Sequence, residues 1–192
     1  LLASIKRFNA DGLPFYISTP SADHDLLMKT VGQEGYCWVA DEEIVRANPQ
    51  ADFAAYQDMA GGLSQQIIKS EFWRLGFTEN YLCLDSDSVF IRPFYRSDFM
   101  SEDGTPYTVL HQNKELFQLA TDRGHLRVER DLRAEAERVK AIFARSGLNF
   151  YCAPAPFIWS AKVWQSLDQE YLQPKGISLW ELISPMHPES LI

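Results

Sequence analysis

Tyr81-Leu82-Cys83-Leu84-Asp85-Ser86-Asp87-Ser88-Val89-Phe90 is the stretch from which the rest of the chain is best read. Four mostly apolar residues run straight into two carboxylates one residue apart. A short apolar run of this kind suits a strand buried on both faces of a parallel sheet. Open α/β sheets bind their ligands outside the carboxyl ends of the strands, and Asp85 and Asp87 are expected at such an end. Two carboxylates held together need a partner of positive charge. A divalent ion, Mg²⁺ or Mn²⁺, is the simplest partner, because these ions prefer hard oxygen ligands. The bland alternative is an Asx turn ahead of Phe90-Ile91, since Asp is a common turn former.

Upstream, Gly61-Gly62 opens a predicted helix running to about residue 75, ended by Gly76. Gln65, Lys69 and Trp73 are four apart and share one stripe, with Gln66 beside them. Leu63, Ile67 and Phe72 take other azimuths and can pack on a sheet. A cation and two amides facing a metal-bound diphosphate would neutralise the charge the metal leaves over. The plain alternative is a lysine on a solvated helix face, where most lysines are found.

Further out, the spacing of Leu1, Leu2, Ile5 and Phe8 predicts a helix, and residues 14–18 read as a strand. Ser21 is expected to cap a helix over 22–31, stopped by Gly32. A strand over 36–40 ends at Asp41-Glu42-Glu43, and 44–60 reads as irregular or weakly helical. A strand over 107–110 ends at His111. Residues 126–146 are charge-rich and helical, with Leu132, Ala136, Val139 and Phe143 as a narrow apolar stripe, Glu129 and Arg133 as an i,i+4 pair, and Gly147 as the C-cap. Pro154 and Pro156 break 149–159 into loop or edge-strand pieces. Helices are expected over 161–171 and 178–183. The alternation of strands and helices through residue 87 indicates an α/β sheet. A helix at residue 1 of such a chain usually follows a strand, so a first strand is expected to be missing and the chain to be a fragment of a longer protein.

The chain has 192 residues, 46% of them apolar, enough for one α/β domain with a substantial core. Its net charge of −8 and pI of about 5.0 argue against a nucleic-acid partner. Nucleotides are not excluded, since they need only a local cation or a metal. Cys37, Cys83 and Cys152 lie far apart among apolar or aromatic neighbours and read as reduced, buried thiols of a cytoplasmic protein. No apolar run approaches the ~18 residues of a membrane span, although peripheral contact with the inner face of a membrane stays compatible with the sequence.

The run Gly62-x-x-Gln65-Gln66-x-x-Lys69, then Tyr81-Leu82-x-Leu84-Asp85-Ser86-Asp87-x-Val89-Phe90-x-Arg92-Pro93, resembles nucleotide-sugar glycosyltransferases of the GT-A fold. More narrowly it resembles a poorly characterised bacterial group, related to capsular or surface polysaccharide transferases, with a Gln-Gln-x-x-Lys helix before a Leu-Asp-x-Asp strand end. The match is good over 61–94. It is looser over 1–60, where 15–20 and Asp25 resemble the second strand and its helix, and over 150–182, where 154–160 resemble the segment closing the acceptor side. The resemblance implies a single domain over 1–192, Rossmann-like, with a mixed, mainly parallel sheet flanked by helices and lacking its first strand. It implies metal-dependent transfer of a sugar from a nucleoside diphosphate sugar to a glycan or lipid-linked acceptor. Asp87 would hold Mn²⁺ or Mg²⁺ directly, Asp85 would help hold the metal or the ribose, and Gln65, Gln66, Lys69 and Ser86 would contact the nucleotide sugar. Family members often add a third metal ligand and an acceptor-side acid near the C-terminus. His187 is the candidate for the first, and Glu189 or Glu181 for the second.

Two further candidates come from the residues alone. His111 ends the strand after the acidic pair and is expected to face the same cleft, with Asn113 and Lys114 nearby; a structural role is the alternative. Trp159 is a candidate for stacking on a sugar ring, against core packing, which is the reading for Trp164.

Two other functions compete. Asp85-x-Asp87 after an apolar strand also satisfies the opening motif of haloacid dehalogenase-type phosphatases, with Asp85 as nucleophile and Asp87 as general acid–base. Such enzymes need a later Lys and a further acidic pair, and no Asp-Asp or Gly-Asp-x-x-x-Asp follows residue 90. A non-catalytic module that binds a nucleotide sugar is the other alternative.

Overall fold

In the computed structural model, which describes residues 1–59, 61–152 and 157–183, the chain opens with helix α1 (Leu2–Phe8) and enters strand β1 (Tyr16–Thr19). Ser21 does not cap the helix that follows. It starts a short 3₁₀ turn, its hydroxyl donates to Glu42 (2.8 Å), and α2 (His24–Val31) begins three residues later. Gly32 stops α2 at φ 79°, a backbone state that glycine adopts without steric cost. Strand β2 (Cys37–Ala40) lies parallel to β1, with Tyr16 opposite Cys37 and Thr19 opposite Ala40.

The acidic run after β2 is the first turn of a helix, α3 (Asp41–Arg46), where carboxylates suit the positive end of the helix dipole. A short α4 (Phe53–Gln57) follows, so 44–60 holds more helix than its weak periodicity indicates. Helix α5 (Gly61–Glu71) tightens into a 3₁₀ turn over Phe72–Leu75 and ends at Gly76, φ 69°, as the sequence indicates. Strand β3 (Asn80–Cys83) follows, and then the acidic turn.

Strand β4 is only Leu110–His111, shorter than the expected 107–110 strand. The reading of the sequence lacks helix α6 (Lys114–Asp122) altogether; its buried face is just Phe117 and Ala120. Helix α7 (Leu126–Ile142) ends five residues before Gly147, with Ala144 rather than a glycine in the left-handed region (φ 50°). Arg133 Nε donates to Glu129 as the spacing predicts (2.8 Å), and no residue of α7 is fully buried. Strands β5 (Tyr151–Cys152) and β6 (Phe157–Ser160) lead into α8 (Ala161–Ser166). One wide turn, Leu167–Leu172, continues it into α9 (Gln173–Lys175), and α10 (Leu179–Ile183) closes the described chain.

The fold is mixed α/β. Its strands form three two-stranded pairs among the described residues: β1–β2 is parallel, while β3–β6 and β4–β5 are antiparallel. This differs from the expected mainly parallel sheet, and β3 is not buried on both faces. Only Cys83 of β3 is fully buried, which is the half-covered state that an antiparallel pair tolerates. Cys37 is exposed, contrary to expectation, whereas Cys83 is buried.

The core gathers Val39, Ile44, Val45, Ile67, Ile68, Leu172, Leu179, Trp180 and Ile183. Helix α5 packs against α3, and residues of the wide turn and α10 join the same core. Beneath it lies an ionic network that the sequence does not announce. Glu71, 0% exposed, accepts from Asn48 Nδ2 (3.0 Å) and from Arg74 Nε. Arg74 also donates to Asp168 (2.8 Å), which accepts from Gln173 Nε2 (2.9 Å). Burial pushes the Glu71 carboxyl above its ordinary range, opposed by Arg74 and Asn48.

Candidate functional site

The acidic turn begins immediately past β3. The Asp85 carbonyl accepts from Ser88 N–H (3.0 Å), so 85–88 is a hydrogen-bonded turn with Ser86 and Asp87 at its exposed tip. Turn formation explains why the chain bends there, but an Asx turn does not describe Asp85. Its Oδ1 accepts from Lys69 Nζ at 2.9 Å, across from helix α5. Asp85's side chain is 44% exposed and that of Lys69 15%.

Three supports hold this geometry. The Tyr81 hydroxyl donates to the Lys69 carbonyl (2.9 Å), tying β3 to α5 two turns into the helix. β6 pairs along β3 with Phe157 opposite Cys83. Beyond the turn, the amino-terminal segment clasps 90–96. Phe90 N–H donates to Ser4 Oγ (3.0 Å), Phe94 N–H to the Phe8 carbonyl (2.9 Å), Ala10 N–H to the Phe94 carbonyl (3.1 Å) and Arg96 N–H to Asp11 (2.7 Å). Stacking of Phe90 on Phe94 (3.9 Å between centroids) stiffens that segment. Between turn and helix lies Cys83, whose thiol burial pushes up to about 12. It is therefore an inert apolar filler here and no thiolate nucleophile.

The helix stripe divides in two. Gln65 is exposed on the same stripe as Lys69. Gln66 is turned inward, 6% exposed, and its Oε1 accepts from no donor among the described residues. A buried acceptor left unpaired costs about 1–3 kcal/mol.

The remaining candidates fall elsewhere. Trp159 opposes Tyr81 at the far end of the strand pair, about 13 Å along the strand from Asp85. Its ring packs edge-on against Tyr81 (6.1 Å) and Trp164 (4.9 Å), so packing accounts for it. His111 opposes Tyr151 in a different strand pair and lines a cavity of about 230 Å³ that does not include the acidic turn. Glu181 belongs to a capping box on α10. Its carboxylate accepts from the Ser178 N–H (2.7 Å) and hydroxyl (3.0 Å), and Ser178 Oγ accepts from Glu181 N–H (3.2 Å). These bonds lower its pKa, which makes it a poorer base. His187 and Glu189 lie outside the described residues.

One cluster escaped the sequence reading. At the carboxyl ends of β1 and β2, Asp41 accepts from the Ser18 hydroxyl and from Tyr56 Oη (3.4 Å), and burial raises its pKa. Burial pushes Tyr56 well above the usual phenol range. Tyr56 comes from α4, which the sequence left irregular, so only Asp41 at a strand end was visible.

Among the described residues no three His, Cys, Asp or Glu side chains gather as a metal cage. A Mg²⁺-type ion does not require one. It keeps several waters and takes one or two carboxylates together with substrate phosphates. Asp87, exposed and without a hydrogen-bond partner among the described residues, and the part-exposed Asp85 fit that demand.

Fold and site together define a mixed α/β protein with an acidic turn held against a lysine-bearing helix. By sequence the chain belongs to DUF6492, a family of unknown function, matching it over residues 1–183. No curated protein and no solved structure matches the chain. No helix of the described residues is long and apolar enough to cross a membrane.

Proposed function

We propose that this protein is a metal-dependent glycosyltransferase of the GT-A type, using a nucleoside diphosphate sugar. The observation that carries the reading is the pairing of Lys69 with Asp85 at 2.9 Å, beside an exposed Asp87 that has no partner among the described residues. It joins the two motifs, helix and strand end, on which the resemblance rests. A partly exposed ion pair of this kind contributes about 1 kcal/mol or less to stability.

Asp87 and Asp85 are the residues that would hold Mn²⁺ or Mg²⁺. When bound, such an ion supplies charge stabilisation to the departing nucleoside diphosphate. Lys69 neutralises Asp85 in the ligand-free protein and turns its ammonium to the diphosphate in the complex. Gln65, on the same stripe, supplies amide hydrogen bonds from the exposed side. The sheet geometry of this reading is the mixed one, with antiparallel β6 beside the strand that ends in the acidic turn. A location at the inner face of the cytoplasmic membrane accords with transfer to a lipid-linked glycan.

The test is a thermal-shift series with uridine, guanosine and thymidine diphosphate sugars, with and without Mn²⁺. At least one sugar nucleotide is expected to raise Tm only when Mn²⁺ is present. No Mn²⁺-dependent shift from any of them would overturn the reading. Lys69→Ala is expected to weaken donor binding at least tenfold while changing Mn²⁺ binding less, by calorimetry. Equal donor affinity in that variant would leave Lys69 as an ordinary ion-pair partner.

Gln66→Leu separates function from folding in one substitution. Removing an amide whose Oε1 is unpaired among the described residues is expected to raise stability by about 1 kcal/mol and, on the resemblance to the Gln-Gln-x-x-Lys helix, to weaken donor binding. A lower Tm with intact donor binding would show that Gln66 serves the core.

The phosphatase reading places Asp85 as a nucleophile and predicts aryl phosphate hydrolysis abolished by Asp85→Asn. Nothing among the described residues supplies its second acidic pair.

A further inference from the structure

A cavity of about 470 Å³ lies between α6, α7 and the segment 147–151, apart from the acidic turn. That volume is within the usual range for small-ligand sites, about 300–1,000 Å³. Its walls are built rather than incidental. Arg133's guanidinium lies over the Phe117 ring (4.6 Å) while its Nε holds Glu129 (2.8 Å). Phe117 meets Tyr151 edge-to-face (5.9 Å), and Asn149 Nδ2 is held by Glu137 (3.0 Å). These contacts leave ring edges, amides and a hydroxyl lining one hollow. Lys114 stands on its rim with no carboxylate partner among the described residues.

The smaller cavity beside His111 shares Gln112 and Lys114 with this one, so the two form one trough longer than a single pocket. Amides both donate and accept, which suits hydroxyl groups that do the same. Ring edges suit the apolar faces of a sugar. A nucleic-acid strand is disfavoured by the acidic chain as a whole.

We infer that this trough binds an oligosaccharide, the class of molecule that the proposed transfer reaction would take as acceptor. The role as acceptor site rests on the glycosyltransferase reading; occupancy by a saccharide does not. The test therefore uses the full chain with neither donor nor divalent ion. Maltotriose, chitotriose and trigalacturonate are titrated and followed by saturation-transfer NMR and calorimetry. At least one is expected to bind, with affinity roughly tenfold lower in a Gln112→Ala, Lys114→Ala double variant. Asn149→Ala is expected to weaken it as well, so the inference does not depend on one variant folding. Binding by none of the three, or binding unchanged in folded rim variants, would overturn the inference. Saccharide binding without any metal-dependent donor binding would retain the trough and remove only its role as acceptor site.

Discussion

An Asp87→Ala variant is expected to lose Mn²⁺-dependent binding of the sugar nucleotide while melting at the wild-type temperature. The two halves of that result have separate causes. Asp87 is exposed at the tip of a turn and makes no hydrogen bond or ion pair among the described residues, so its removal costs the fold within about 0.5 kcal/mol. As the proposed first ligand to the ion it would be worth more than an outer-shell partner, whose loss already costs about 10–100-fold in metal affinity. A loss of a hundredfold or more in donor affinity with Mn²⁺ is therefore the expected size. Calorimetry with Mn²⁺ and the donor that gives the largest thermal shift measures it. Unchanged affinity would end the metal-site role of the turn. A fall in Tm of several degrees would instead make Asp87 a structural residue.

The largest loss of stability is expected from Arg74→Met. Arg74 is the single guanidinium set between two buried carboxylates, Glu71 and Asp168. Breaking a buried pair by removing one partner costs about 3–5 kcal/mol, because it leaves charge buried without compensation. The deficit carries a pH signature. Burial already raises the folded-state pKa of Glu71, with Arg74 pulling it back down. Without Arg74 it rises further. A raised carboxyl binds its proton more readily folded than unfolded, so stability falls as pH rises from the ordinary carboxylate value through the raised one. Urea unfolding across a pH series should thus show the variant's deficit shrinking on acidification, as Glu71 becomes neutral. A deficit below 1 kcal/mol at neutral pH, or one that does not vary with pH, would mean the network is not coupled in this way.

The sequence carries most of this architecture where one cue suffices and little of it where several must combine. Gly32 and Gly76 stop helices at the expected places, because a left-handed backbone there needs no tertiary help. Helix α5 and strand β3 stand where periodicity and apolar runs put them. The partner of β3 could not be read, since an apolar four-residue run looks alike in parallel and antiparallel surroundings. Helix α6 buries two residues only, too narrow a stripe to stand out. The meeting of Lys69 with Asp85 was visible as two motifs, not as a contact. Gln66 shares the motif with Gln65 but not its exposure, because azimuth on the helix, and not residue type, decides which amide enters the core. Glu181 read as a possible base and is a helix cap; Ser178, three residues earlier, was the available signal.

The clasp between the amino-terminal segment and 90–96 has its own implication. The bond from Phe90 to Ser4 closes a span of 86 residues, so the loop carrying the acids takes shape only after distant parts of the chain have met. A short synthetic peptide copying 61–94 would display every letter of the motif and none of its posture. Searches by pattern alone will accordingly gather proteins that spell this site without building it.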